Sequence, residues 1–363
     1  MLHLAFKKRL TDFDLQIDAQ VPDGLVALFG PSGAGKTTTL QAIAGLVTPD
    51  AGEIRDGEVV LFASARRINL PPHRRDLGCV FQEGRLFPHL SVEQNLRFGL
   101  EATPPARQTF GFDEIVEVLQ LQSLLDRRPA TCSAGQQQRV ALGRALLASP
   151  RYLLMDEPLA AVDVPERWRI LAALREMHRR HQLPVLYVSH DPGTVLNFAE
   201  HMLLLRAGRI EDRGEPMAIV QRVMADPRAA ANHDAPIVQN LFAAEITQQG
   251  RGFSEVRSGR LLLHTPALHD DSGRPLAVGS KLFVQIAASE ILLATREPVG
   301  LSARNIFPGH IVSLRALDHL VGVEVEVGER IVVEVLPTTV VQLALEVGAR
   351  VFVIIKASGI RRL

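Results

Sequence analysis

Cysteine, tryptophan and tyrosine are nearly missing from this chain of 363 residues, which has two, one and two of them, respectively. Two cysteines, Cys79 and Cys132, cannot build a disulfide framework and have no metal-ligand spacing around them, so both read as packing residues. Charge of either sign is not in excess either. Forty basic residues face 40 acidic ones, and the basic pairs Lys7-Lys8, Arg66-Arg67, Arg74-Arg75, Arg127-Arg128 and Arg179-Arg180 are scattered. Nothing in that pattern marks a nucleic-acid groove, and no nucleic-acid partner is expected. No apolar run approaches the roughly 20 residues of a membrane span. The chain opens on the strand-like Leu2-His3-Leu4-Ala5-Phe6 rather than on a signal peptide. A cytosolic protein is expected, with any membrane role arising through a partner.

What the chain does have is Gly30-Pro31-Ser32-Gly33-Ala34-Gly35-Lys36-Thr37, which fits G-x-x-x-x-G-K-[ST]. The apolar run 25–29 precedes it, and apolar residues at helical spacing follow from Thr38. Glycines in such a loop let successive backbone N–H groups curl around an anion, and the helix N-terminus adds partial positive charge. Lys36 can then reach the outer phosphates while the Thr37 hydroxyl takes a place on Mg²⁺. A bound nucleotide triphosphate, ATP, is the expectation.

Short apolar strands at 25–29, 77–81, 152–156, 185–189 and 202–206 alternate with helical stretches at 37–46, 113–119, 136–148 and 165–180. The alternation predicts an α/β P-loop NTPase domain over residues 1–230, with a largely parallel sheet. After Pro227 the character changes to short Val/Ile/Leu strands punctuated by Gly, Pro and Asp, predicting a linker and then an all-β domain. Residues 278–291 recur as 347–360, with Val, Gly, Phe, Val, Ile, Ala, Ser and Ile matching in place. Two copies of one β unit imply a barrel of two similar halves or two small barrels in series. The expected parts are a linker and first barrel portion over 231–298 and a final domain over 299–363.

Hydrolysis of a nucleotide needs a carboxylate for the metal and a group to position water, both at the mouth of the sheet. The apolar strand 152–156 carries Asp156 and Glu157 to its C-terminal end, where open α/β sheets bind ligands. Asp156 would hold Mg²⁺ and Glu157 would orient or deprotonate the attacking water. Upstream lies Ser133-Ala134-Gly135-Gln136-Gln137-Gln138-Arg139, followed by a helical pattern. This segment resembles the L-S-G-G-Q signature of ATP-binding-cassette ATPases. With the P-loop, Gln82, Asp156-Glu157 and His190 it makes the set that marks the family, in order and spacing, over residues 1 to about 225.

The resemblance implies that Gln82 contacts Mg²⁺ and moves with a transmembrane partner, and that the segment from Arg85 to Leu90 receives a coupling helix. It implies that Ser133, Gly135 and Gln136 touch the γ-phosphate held by the other subunit's P-loop, so the working unit is a head-to-tail homodimer. Asp163 resembles the aspartate of the loop joining the two sites, and His190 the switch histidine. Three departures stand out. Cys132-Ser133-Ala134 replaces the usual Leu-Ser-Gly, and Ala134 would be strained if its position needs positive φ. Ala160-Ala161-Val162 stands where Ser-Ala-Leu is common. No aromatic residue lies at the usual distance before the P-loop to stack on adenine: Phe13 alternates with Leu15 and Ile17 as a strand core residue would, and the platform stays unassigned.

A cassette followed by a β domain resembles the ATPase subunits of bacterial importers for sugars, polyamines, sulfate, ferric iron and molybdate. Such a subunit sits on the cytoplasmic face of the inner membrane, against two permease subunits that receive cargo from a periplasmic binding protein. Ser302-Ala303-Arg304-Asn305, with Gly309 four residues on, is similar to the S-A-R-N-x-x-x-G motif of the small molybdate-binding (Mop) domain, and Lys356-Ala357-Ser358 to its closing strand. Arg304 and Lys356 supply charge, Ser302 and Ser358 hydroxyls, and Ala303 and Ala357 backbone N–H groups for a tetrahedral dianion such as molybdate or tungstate. Two alternatives stay open: an importer for another anion such as sulfate, and a cytosolic molybdate sensor or storage protein, against which the complete hydrolysis set speaks.

Overall fold

Asp14–Val21 alternates exposed and buried residues without a break, whereas Leu25–Phe29, Tyr152–Asp156 and Val185–Ser189 are buried throughout. The first pattern belongs to a strand with one wet face and the second to strands covered on both faces. The computed structural model describes all residues except 12, 102, 161, 226–238, 270–273, 318 and 363. It divides into two units, Met1–Ile219 and Val220–Leu363. The linker expected after Pro227 and the expected boundary at 230/231 lie outside the described residues.

The strands of the first unit are β1 (Leu2–Arg9), β2 (Asp14–Val21), β3 (Leu25–Phe29), β4 (Ala51–Asp56), β5 (Val59–Ala63), β6 (Ile68–Asn69), β7 (Leu77–Phe81), β8 (Tyr152–Asp156), β9 (Val185–Ser189), β10 (His201–Arg206) and β11 (Arg209–Gly214). They form one sheet in the order β6-β5-β4-β1-β2-β11-β10-β3-β9-β8-β7. The run β10-β3-β9-β8-β7 is parallel, as the alternation predicts. Its flank is not: β1 pairs antiparallel with β2 and β4, and β4 with β5. Six helices matter below: α1 (Lys36–Ala44), α2 (Val92–Glu101), α3 (Phe112–Val118), α4 (Ala134–Leu147), α5 (Val164–His181) and α6 (Pro192–Phe198).

Alternate residues of the parallel strands feed two cores. Leu153, Met155, Val185 and Tyr187 pack with residues of α2, α4 and α5, while Tyr152, Leu154, Leu186 and Val188 pack with Leu40 and Ile43 of α1. With both faces covered, the C-terminal ends of β3, β7, β8 and β9 are left as the open rim on which a site can be built.

The second unit holds β12 (Gln239–Gly250), β13 (Phe253–Ser258), β14 (Leu261–Pro266), β15 (Lys281–Ala287), β16 (Ile291–Ala294), β17 (Asn305–Leu317), β18 (Leu320–Glu326), β19 (Arg330–Val335), β20 (Arg350–Ile355) and β21 (Ile360–Arg362). Two five-stranded antiparallel sheets result, β14-β13-β12-β15-β21 and β16-β20-β17-β18-β19, an OB-like all-β fold of two similar halves. The repeat maps onto β15 and β20, each followed by a 3₁₀ turn, Ala288–Glu290 and Ala357–Gly359. After that turn the halves trade strands: β16 pairs with β20 of the second half, and β21 pairs with β15 of the first. One core, including Val284, Ile286, Val353 and Ile355, serves both halves.

Candidate functional site: a nucleotide cleft and a cationic cleft

The loop from Gly30 to Gly35 leaves β3 and delivers Lys36 as the first residue of α1. Gly35 caps that helix with φ of 102°, where any other residue would be strained, and a Cβ there would lie 2.7 Å from Leu15 Cδ1. Lys36 is 5% exposed, donates from Nζ to the carbonyls of Gly30 and Pro31 at 2.9 Å each, and lies 3.7 Å from Glu157 Oε1. Burial holds its pKa below the usual lysine value, against the pull of Glu157.

Asp156 ends β8 and accepts a hydrogen bond from Thr37 Oγ1 at 3.0 Å. It is 8% exposed; burial raises its pKa, the bond from Thr37 opposes the rise, and the charge of Glu157 adds to it. A hydroxyl beside a buried carboxylate of raised proton affinity is a hard-oxygen pair suited to Mg²⁺, so the residues present fit that ion. Glu157 follows with φ of 44°, in the left-handed region, and its Oε1 is 3.1 Å from His190 Nδ1, just past β9.

Ser32, Gly33, Gly35, Lys36, Thr37, Thr38, Gln82, Asp156 and Glu157 line one cleft of about 320 Å³. Gly30, Pro31 and Ala34 complete the loop behind it. Leu10 and Phe13 also line the cleft, which the sequence reading missed. Phe13 precedes β2 rather than lying within it, and its half-buried side chain packs against the core that holds Leu15 and Ile17 while also lining the cleft. Phe6 is a core residue, 2% exposed.

Ser133, Gly135, Gln136 and Asp163 do not line this cleft. Ser133 caps α4 in a reciprocal box: its Oγ accepts from Gln136 N at 3.2 Å, while Gln136 Oε1 accepts from Ser133 N at 2.9 Å. Ala134 is the first helical residue and its φ is not positive, so the strain foreseen for that substitution is not incurred. Behind the cap, Gln138 Nε2 donates to the carbonyls of Phe81 and Gln82, and Arg144 Nη2 to that of Arg85 at 2.8 Å. The segment after β7 is therefore tied to α4, a link the motif alone did not disclose.

In the second unit Ser302, Arg304, Lys356, Ala357 and Ser358 come together on a cleft of about 510 Å³. Arg251, His264 and Thr265 of the first half join them there. Arg251, Arg304 and Lys356 have no acidic partner among the described residues. Ala303 is half-buried and, with Asn305, is not part of the lining. Asn305 is 1% exposed, and its carboxamide bonds to backbone groups of His264 and to the Ile355 carbonyl. It organises the cleft from behind.

Residues 12–160 match the family model of the ABC transporter, and residues 301–361 that of the TOBE domain. A molybdenum import ATP-binding protein, ModC, of Paramagnetospirillum magneticum is 40% identical over 369 residues, covering 100% of this chain and 98% of that protein. The chain belongs to the ABC transporter ATPase family. The ModC protein of Rhodospirillum rubrum is 44% identical over 301 residues, 83% of this chain and 79% of that one. A dimeric bacterial ABC transporter cassette of known structure superposes with a TM-score of 0.50 at 25% identity, covering 60% of this chain and 99% of that one. Its post-hydrolysis dimer with ADP and Pi gives a TM-score of 0.51 at the same identity and coverage. The ABC ATPase assignment fits the lysine, paired acids and histidine gathered on the rim of the first unit's sheet.

Proposed function

We infer that this chain is the ATP-hydrolysing subunit of an importer for molybdate or tungstate, working as a homodimer against two membrane permease subunits fed by a periplasmic binding protein. No helix among the described residues is long and apolar enough to cross a membrane. On this reading the chain is a peripheral protein on the cytoplasmic face of the inner membrane.

Mg²⁺, held by Thr37 and Asp156 with Gln82 at hand, would supply neutralisation of the charge that builds on the β- and γ-phosphate oxygens. Lys36 is placed to release its two loop carbonyls and turn its ammonium to the outer phosphates. Glu157 takes a proton from, or orients, the attacking water, and His190 at 3.1 Å fixes the carboxylate that does so. Phe13, at the mouth of the cleft, is the aromatic surface available to the adenine. The signature residues Ser133, Gly135 and Gln136, with Asp163, face the partner copy's nucleotide rather than their own.

The observation that carries the cargo is the cationic cleft in the second unit, where Arg251, Arg304 and Lys356 converge with Ser302 and Ser358. Hydrogen bonds to a charged group contribute about 1.5–3 kcal/mol each, so four or five in the upper part of that range would exceed the roughly 8 kcal/mol of micromolar binding. Molybdate there would act from the cytosolic side as a signal that uptake has sufficed. Calorimetry on the full chain, with sulfate as competitor, tests this. Micromolar molybdate binding that sulfate does not displace supports it; preferential binding of sulfate would reassign the cargo, and no oxyanion binding would leave the cleft without this role.

A further inference from the structure

The first turn of α5 reaches two functional loops at once. Asp163 caps the helix, accepting from Glu166 N at 3.0 Å. Glu166 is 9% exposed and leans onto α4. Its Oε1 lies 2.5 Å from Arg139 Nε, in an ion pair rather than an aligned hydrogen bond, and its Oε2 lies 3.4 Å from Arg169 Nη1. Its Cγ also fills the space beside Gly135: a Cβ on that glycine would be 2.7 Å away. The signature turn therefore rests on the Glu166 side chain, and Gly135 is glycine in part to receive it. Arg139 is anchored at its far end by the carbonyls of Leu119 and Gln120, at 2.8 and 3.1 Å.

The next residue, Arg167, turns the other way. Its Nη1 donates to Asp191 Oδ2 at 3.1 Å and its Nη2 to the Val162 carbonyl at 3.4 Å. Asp191 follows His190 and caps α6, accepting from the backbone N–H groups of Gly193 and Thr194 and from Thr194 Oγ1. Two neighbouring residues of opposite charge on one rigid helix thus hold, respectively, the turn that faces the other copy's nucleotide and the loop that carries this copy's histidine.

We propose that Glu166 and Arg167 are positioning residues that couple the two nucleotide sites of the dimer. A shift of the His190 loop on nucleotide binding pulls Arg167 and turns α5; Glu166 passes the turn to Gly135 and Arg139. The coupling is an energy shared through packed groups with two arrangements, and substitutions along such a link change it without touching either ligand. This proposal rests on the head-to-tail dimer of the preceding subsection.

The test is ATPase velocity against ATP concentration for the full chain and for Arg167→Gln, Arg167→Lys, Glu166→Gln and the double substitution Arg139→Met/Glu166→Leu. The double variant replaces a buried ion pair by apolar side chains, which folds where a lone buried charge would not. Expected are a Hill coefficient above one in the unmodified chain, a fall toward one in Arg167→Gln and in the double variant, and a loss of kcat of roughly threefold to thirtyfold. Nucleotide affinity without Mg²⁺, read by a fluorescent ATP analogue, should stay unchanged, and Arg167→Lys should recover part of the cooperativity. Folded variants with unaltered Hill coefficient and kcat would overturn the proposal, as would non-cooperative turnover by the unmodified chain. Sedimentation of Glu157→Gln with ATP reads the underlying dimer separately: failure to dimerise there takes away the reading on which the coupling rests.

Discussion

Asn240 and Asn305 do the same work in the two halves of the second unit, each tying its own half to the other through one buried carboxamide. Asn240 bonds to the Ile286 carbonyl at 3.3 Å and exchanges two bonds with Val332, at 2.8 and 2.7 Å. Asn305 bonds to the Ile355 carbonyl at 3.3 Å and exchanges two bonds with His264, at 2.9 and 2.7 Å. The repeat seen around β15 and β20 thus extends to β12 and β17, where it fixes the pseudo-symmetry with polar groups. The symmetry is broken where it concerns chemistry: Val332 stands opposite His264, and Ala287 opposite Lys356.

Removing either carboxamide orphans buried backbone groups at about 1–3 kcal/mol each. Asn305→Ala is expected to lower the stability of the chain by about 2–4 kcal/mol. Denaturant unfolding of the full chain checks this, and a midpoint unchanged from the parent would deny the bridge its role.

Glu157→Gln should retain ATP binding and slow turnover roughly 10²- to 10⁴-fold, accumulating an ATP-bound dimer. Lys36→Ala should instead fail to bind nucleotide. Equilibrium binding alongside single-turnover hydrolysis separates the two, and rapid turnover by Glu157→Gln would place the base elsewhere.

Lys356→Ala and Arg304→Ala each remove one charged contact from the second unit's cleft. Each should weaken oxyanion binding tenfold or more, since about 1.4 kcal/mol is a factor of ten. Calorimetry checks it, with ATPase activity in the absence of oxyanion as the control that should not move.

Burial raises the pKa of Asp156, so it holds its proton more tightly folded than unfolded. Its contribution to stability is therefore fully present below the unfolded value and is lost as pH rises through the raised folded value. Metal competes with that proton. The Mg²⁺ concentration for half-maximal ATPase should rise as pH falls from neutrality toward the usual carboxylate range. Asp156→Asn, assayed by Mg²⁺-dependent nucleotide binding, should lose this pH dependence; retention of it would assign the effect to another group.

The parallel strands were legible because runs such as Leu-Leu-Met ending in Asp156 are buried on both faces, and burial on both faces leaves no polar alternation to confuse with loop. β1, β2 and β4 were less visible as a sheet flank: β1–β2 and β4–β5 are local hairpins, but the pairings β1–β4 and β2–β11 that build them into the sheet join segments far apart in the chain, and no local pattern names those. Phe13 was legible only in part. Its spacing to Leu15 and Ile17 marks it as a core neighbour, which it is, but only the bend before β2 also brings it to the wall of the cleft. Arg251 and His264 had no signal of their own: the motif around Arg304 marks one wall of the second cleft, while the other wall is placed by strand pairing and by Asn305.

The strand exchange at β16 and β21 makes the last hundred or so residues topologically indivisible. A fragment covering only the TOBE match, 301–361, would carry β21 without the β15 it pairs with and β20 without β16. Such a fragment presents two raw edges whose natural complements are the missing strands of another molecule, so shortening this protein is expected to produce interlocked oligomers rather than a smaller domain.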